Sequence, residues 1–270
     1  MWRDLPPSLP PAPPAVVHEG LAAVGRYQGR IARIDWSGLI AAQQHGGLWR
    51  WAHHKRWQYV GIASPELFIG VAVVNLGWCM TAFAYVFHRF RRRIIVDWSQ
   101  DGLPALSGRV TDAPIEGMST AFRGPGASIS LQHLAGDVLA LRVRAANLTL
   151  RADLDLATAP PVMVAVGPVE GGVMHSTHKT SAMAVRGEVD VDGLRWDLGE
   201  AHACLDSSDG LLARDTAWRW ASAHRPGLGF NLQQGYFGNM ENTLWLDGEP
   251  LPLGAADFQF DAQQPLEPWT

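Results

Sequence analysis

The stretch that most constrains this chain runs from Glu66 to Arg93, ELFIGVAVVNLGWCMTAFAYVFHRFRRR. Leu67 to Phe87 carries no formal charge, and a block of arginines follows from Arg89. About 20 apolar residues suffice for a helix to cross a bilayer, and flanking arginines mark the cytoplasmic end of such a helix. The interior of the run points elsewhere. Asn75, Gly77 and Thr81 would fall at mid-depth, VAVVN is rich in β-branched residues, and Asn75-Leu76-Gly77 has turn character. Two strands, Leu67 to Val74 and Trp78 to Phe87, would instead form a hairpin that is apolar on both faces. The sequence favours the hairpin, with the membrane span as its rival.

The rest of the chain agrees with strands. Its 270 residues include 28 glycines, 18 prolines and 12 tryptophans, and long helical periodicities are absent. Ile129 to Leu156 alternates apolar and polar residues, with turns expected at Gly136-Asp137 and Ala146-Asn147, which predicts a three-strand meander. Asp101-Gly102, Asp192-Gly193 and Asp247-Gly248 read as further turns. Tyr27 to Trp36 and Gly47 to Ile62 read as irregular segments leading into strands, and Ala203 to Trp220 leaves room for one helical turn. The expected fold class is all-β with little helix.

A formal charge of −4 argues against a broad nucleic-acid surface. The cluster His88, Arg89, Arg91, Arg92 and Arg93 is local; it reads as a solvated hairpin end, with peripheral membrane contact through Arg89–Arg93 as the sharper expectation. Cys79 and Cys204 are the only cysteines, too few for a disulfide framework or zinc spacing. The start, MWRDLPPSLPPAPPAVV, lacks the pattern of a signal peptide, so the expected compartment is cytoplasmic. Its six prolines predict an extended arm over residues 1–20, either a strap over the domain or a ligand for a partner.

Familiar catalytic motifs fail. Gly117-Met118-Ser119-Thr120-Ala121 lacks the last glycine of a hydrolase elbow, and Gly124-Pro125-Gly126 lacks the third glycine of a dinucleotide fingerprint. His53-His54 and His175-x-x-His178 find no third ligand nearby, so neither a metal nor a cofactor is expected. The denser cluster is C-terminal: His178 and Lys179, then Asp206, Asp209, Arg214 and Asp215 before Trp218 and Trp220, then Glu241 and Asn242 among aromatics. On a strand, Trp57 with Tyr59 and Trp218 with Trp220 share a face. Each pair offers either core packing or the wall of an apolar pocket. A carboxyl group against indole rings has its neutral form favoured, and indole faces stabilise a cation by about 1–2 kcal/mol.

KRWQYVGI (55–62), the Leu67–Phe87 run, THKT (177–180), LDSSDGLLARDTAWRWASA (205–223) and GYFGNMENTLWLDG (235–248) follow in order between Trp51 and Trp269. Together they resemble a bacterial family known as domain of unknown function 2804. That family is similar to carotenoid 1,2-hydratases, tocopherol cyclases and fungal lipocalin-like Diels–Alderases. The resemblance implies two lipocalin-like β-barrel or β-sandwich halves, 21–160 and 161–270, around a ligand pocket. Lys55, Trp57, Tyr59, His178, Lys179, Trp218, Trp220, Glu241 and Asn242 match the expected pattern. After the aspartate the pattern expects Trp-Gly-Arg-Gly, and this chain has Ser207-Ser208-Asp209-Gly210, which puts shared activity in question.

The expected function is binding of a hydrophobic small molecule, such as an isoprenoid or fatty-acyl compound, with hydration, isomerisation or cyclisation by acid–base chemistry. Asp206 would be the acid, with His178 or Glu241 relaying the proton. Trp57, Tyr59, Trp218, Trp220 and Asn242 would line the pocket, and Lys179 or Arg214 would meet a head group. The alternative is a non-catalytic lipid carrier.

Overall fold

The Leu67–Phe87 run folds as a hairpin. The computed structural model of the chain describes residues 8–264, so the first seven residues of the proline arm lie outside the described residues. The described part of the arm is a strap: Ala12 and Gln28 bond through N–H and carbonyl at 2.8 Å, Gln28 N–H donates to Pro10 at 2.8 Å, and Leu9 and Val16 are buried. The ribbon β1 (Val17–His18) and β2 (Leu21–Ala22) comes next, followed by β3 (Gly25–Gln28). A first meander holds β4 (His54–Ala63), β5 (Leu67–Asn75), β6 (Met80–His88) and β7 (Arg93–Gly102). The short β8 (Gly108–Arg109) precedes a second meander of β9 (Ser119–Gly124), β10 (Ala127–Leu134), β11 (Val138–Ala145) and β12 (Leu148–Asp155). β13 (Met163–Pro168), β14 (Met174–Lys179), β15 (Met183–Val191), β16 (Leu194–Asp197) and β17 (His202–Leu211) follow. The last strands are β18 (Trp218–Arg225), β19 (Leu228–Gly235), β20 (Thr243–Leu246) and β21 (Glu249–Pro252).

Fifteen strands share one sheet whose main path runs β7-β6-β5-β4-β17-β15-β12-β11-β10-β9-β8, curling into a nearly closed barrel. β17 and β15 lie between β4 and β12, so the ladder crosses Pro160. Strands β18–β21 form a separate four-stranded sheet. The barrel core takes alternate residues of each strand: Ile69, Val71 and Val73 from β5, and Met80, Ala82, Ala84 and Val86 from β6, all 2% exposed or less. Burying each larger aliphatic side chain contributes about 1.5–3 kcal/mol. The other face of β6 carries half-buried Phe83 and Tyr85, which explains why the run is apolar on both faces. Its turn is closed by Asn75, whose Oδ1 accepts the Gly77 N–H at 2.8 Å, with Gly77 at φ +88°.

The turns at Gly136-Asp137, Ala146-Asn147, Asp192-Gly193 and Asp247-Gly248 form as read, with positive φ at Asp137, Ala146, Asp192 and Asp247. Asp101-Gly102 does not turn. Gly102 stays in register with Met80, and the chain reverses over 103–107, where the Leu103 N–H donates to Ser107 Oγ at 3.0 Å. Two local readings are corrected. The segment from Ala203 holds no helical turn, because its alternation feeds Ala203, Leu205 and Leu211 into the core as β17. The segment read as irregular holds α1 (Gly47–His53), which lacks a capping side chain and a buried face but stacks Trp49 between His45 and His53, at 3.8 and 4.1 Å. Among the described residues no helix is long and apolar enough to cross a membrane.

Candidate functional site

Strand alternation sorts the polar residues of the central strands onto two faces. On β17, Ala203, Leu205 and Leu211 point into the core, so Asp206 and Ser208 point out of the barrel, toward the small sheet. Its register partner on β14 is Lys179, and its partner on β4 is Tyr59. Lys179 Nζ lies 2.8 Å from Asp206 Oδ2 and 3.1 Å from Glu241 Oε2, and all three side chains are nearly buried. Asp206 Oδ2 also accepts from Trp57 Nε1 at 3.2 Å, and Oδ1 accepts the hydroxyls of Thr177 and Ser208 at 3.2 and 2.9 Å.

One ammonium and two carboxyls buried together approach neutrality only if one carboxyl keeps its proton. The surroundings decide which. Burial raises the pKa of Asp206, but Lys179 and the hydrogen bonds from Ser208 and Trp57 outweigh it, and the group is held below the usual aspartate range. Glu241 is raised, first by burial and then by the Asp206 charge, with Lys179 opposing. Burial alone would lower Lys179, but its two carboxylates reverse this and keep it charged. The surroundings thus hold the pKa of Asp206 low and that of Glu241 high, so Asp206, expected as the acid, is the weaker proton holder of the two.

Asp206 sits in the wall of a cavity of about 370 Å³. Trp57, Tyr59, Phe83, Tyr85, Trp218 and Trp220 line it, together with Lys55. Trp57 and Trp218 stack at 6.0 Å, and Tyr59 meets the edge of Trp220 at 5.5 Å. The two aromatic pairs thus face each other across the cleft between the sheets. Tyr59 and Tyr85 hydroxyls meet at 3.1 Å, and burial raises both phenols, keeping them neutral donors. Gly61 and Gly70, opposite each other on β4 and β5, make this possible: a Cβ on Gly70 would run into the Tyr85 ring. Beyond these tyrosines a second cavity of about 420 Å³ continues along the same strands, walled by Gly61, Ala63, Phe68, Cys204, Ser222 and His224.

Of the residues expected at the site, Asp206, Lys179, Glu241, Trp57, Tyr59, Trp218 and Trp220 come together. His178 does not. It pairs with Ser207 on the opposite face, where its Nε2 accepts the Ile31 N–H at 3.1 Å and burial lowers its pKa to about 3, so it cannot relay a proton to Asp206. The imidazole on the cleft side is His175, 5.5 Å from the Trp57 ring. Asn242 is structural: its Oδ1 accepts the Gln233 N–H at 2.6 Å and its Nδ2 donates to Gly254 at 2.9 Å. Arg214 is exposed and contributes its carbonyl, which accepts Lys55 Nζ at 2.6 Å. Asp209 faces away from the cleft and gathers Trp36 Nε1 and His54 Nε2 at 2.9 and 2.8 Å, with Arg56 Nε at 3.1 Å. Its charge therefore does not enter the cavity. Phe83 and Tyr85 join the site without having been singled out, and Lys55, which matched the family pattern, joins it without having been given a role; the signal was period-two spacing continued along β4 and β6. Among the described residues no group of three side chains is placed to hold a metal ion.

Fold and cleft together define a lipocalin-like β protein whose apolar cavity abuts a buried lysine–dicarboxylate cluster. Its sequence places it within a family: the chain belongs to the domain of unknown function DUF2804, whose family model matches residues 16–270. Comparison with curated proteins returned no match. Solved structures of similar fold include an AttH-type protein of Nitrosomonas europaea, at TM-score 0.55 and 10% identity, covering 84% of this chain and 79% of that one. Kievitone hydratase of Nectria haematococca aligns at TM-score 0.52 and 12% identity, covering 81% and 70%. CghA with Sch210972 aligns at TM-score 0.52 and 11% identity, covering 87% and 68%. At such identities the likeness is one of fold.

Proposed function

We propose that the cleft between the two sheets binds a hydrophobic small molecule, and that Asp206 exchanges a proton with it during a hydration, isomerisation or cyclisation. The observation that carries this reading is a ligand-sized aromatic cavity with one carboxylate in its wall, since pockets of about 300–1,000 Å³ with few convergent polar groups suit small molecules. Asp206, backed by Lys179 and Glu241, takes a proton from one position of the ligand or from a water and returns it at another. The hydroxyls of Tyr59 and Tyr85 polarise an oxygen on the ligand. The kievitone hydratase likeness agrees with addition or removal of water.

One observation favours a carrier instead. Asp206 already accepts from Lys179, Trp57, Thr177 and Ser208, which fills the roughly four acceptor sites of a carboxylate. On that reading the cluster merely fastens the small sheet to the barrel. The test begins with the purified protein, extracted with organic solvent and analysed by mass spectrometry for co-purified apolar molecules. A stoichiometric species supplies the substrate for a turnover assay; none would count against both readings. Asp206→Asn is then expected to abolish turnover while retaining the ligand. Unchanged turnover would remove the proposed base, and no turnover by the native protein would leave the carrier.

A further inference from the structure

Two lysines are buried beside the cleft, and they differ in one respect. Lys179 is held between two carboxylates. Lys55, 7% exposed at the start of β4, has no ion pair among the described residues. Its Nζ donates to the Arg214 carbonyl at 2.6 Å and lies 3.5 Å from Thr216 Oγ1. An ammonium has three donors, so at least one is unused. Burial lowers the Lys55 pKa, with exposed Asp215 partly opposing. An ammonium held in an apolar wall without an ion pair is costly, and an anion arriving with a ligand would offset that cost.

We propose that Lys55 docks the carboxylate of a long-chain amphiphile whose apolar body lies against Trp57, Tyr59, Phe83 and Trp218. This rests on the cleft being a ligand site, as proposed above, and it names the ligand's chemistry. A single ammonium with Asp215 nearby matches one negative charge better than the two of a phosphate monoester. Arg214 is exposed and Lys179 is already engaged, so neither is the docking cation. Lys55 and Tyr59 are four residues apart on one strand, roughly 13 Å. A carboxylate at Lys55 therefore brings the middle of the chain beside Asp206, the register partner of Tyr59, and points the tail toward the second cavity.

The test uses cis-parinarate and its methyl ester, which share a fluorescent chain and differ in charge, titrated into the full-length protein. The native protein is expected to bind the acid at least about tenfold more tightly than the ester. Lys55→Met is expected to bind both alike, with ester affinity unchanged, and Lys55→Arg to keep most of the preference. Equal binding by the native protein, or a preference that survives in a folded Lys55→Met, would overturn the docking role and leave the cleft standing as an apolar site. Binding of neither probe would overturn the cleft reading as well. Should Lys55→Met fail to fold, Lys55→Gln takes its place in the same comparison.

Discussion

At the residue scale, the charge state of Asp206, Lys179 and Glu241 makes distinct predictions for each. Burial raises the pKa of Glu241, which disfavours its charged form, so Glu241→Gln should cost less than about 1 kcal/mol, whereas Lys179→Met strands buried Asp206 and should cost about 3–5 kcal/mol. Urea midpoints at constant slope would measure both; a large loss in Glu241→Gln would show that the Glu241 charge is part of the cluster's balance. The buried histidines set the acid limb of stability. Burial lowers His175 and His178 to about 3 and His224 to about 4. Between pH 6.5 and those values the unfolded chain takes up protons that the folded chain refuses, so stability falls as pH falls. Each histidine contributes about 2 kcal/mol of that loss at pH 5. Asp206, lowered below the usual range, adds to the loss at still lower pH. Glu241, raised, acts oppositely: its contribution is complete below the unfolded carboxyl value and fades as pH rises through its folded one. His178→Gln keeps an acceptor for Ile31 and should flatten the acid limb between pH 6.5 and 4 in urea titrations.

At the element scale, β4, β5 and β6 act as one curved wall with a core side and a cleft side. Glycine at 61 and 70 leaves room for the tyrosines on the cleft side. Gly70→Ala would press a methyl group into the Tyr85 ring, at a cost of about 1–3 kcal/mol from overpacking. It should also separate the Tyr59 and Tyr85 hydroxyls and join the two cavities. Longer probes should then gain affinity relative to shorter ones, which titration of a chain-length series would read. An unchanged preference with unchanged stability would mean that the ring swings aside without dividing the cleft.

At the scale of the whole molecule, β17 is held by β4 on one edge and by β14 and β15 on the other, across long loops of sequence. Pairing so distant in sequence makes folding slow, on the order of milliseconds to seconds or beyond, and couples both halves of the chain. A fragment of residues 1–159 would leave the edges of β4 and β12 open, and is expected to aggregate or remain unfolded rather than give a folded half. Circular dichroism and sedimentation would decide; a monomeric, cooperatively unfolding fragment would show that the halves stand alone.

What the sequence settles here is local and periodic. Period-two alternation and Asn/Asp/Gly turns determine the all-β class, the 129–156 meander and the hairpin, because each signal lies within a few residues of its effect. Spacing also placed Trp57 with Tyr59 and Trp218 with Trp220. Only the tertiary structure decided which strands became neighbours. Register put Lys179 beside Asp206 and turned His178 away from it, a one-residue difference that reverses the face. It also set the pKa of Asp206 low and that of Glu241 high, since both carboxyls are buried and the balance rests on Lys179 and on hydrogen bonds to Asp206 contributed by β4 and β17. Lys55 became noticeable for the same reason: whether a lysine has a counter-charge depends on what the fold brings within a few ångströms.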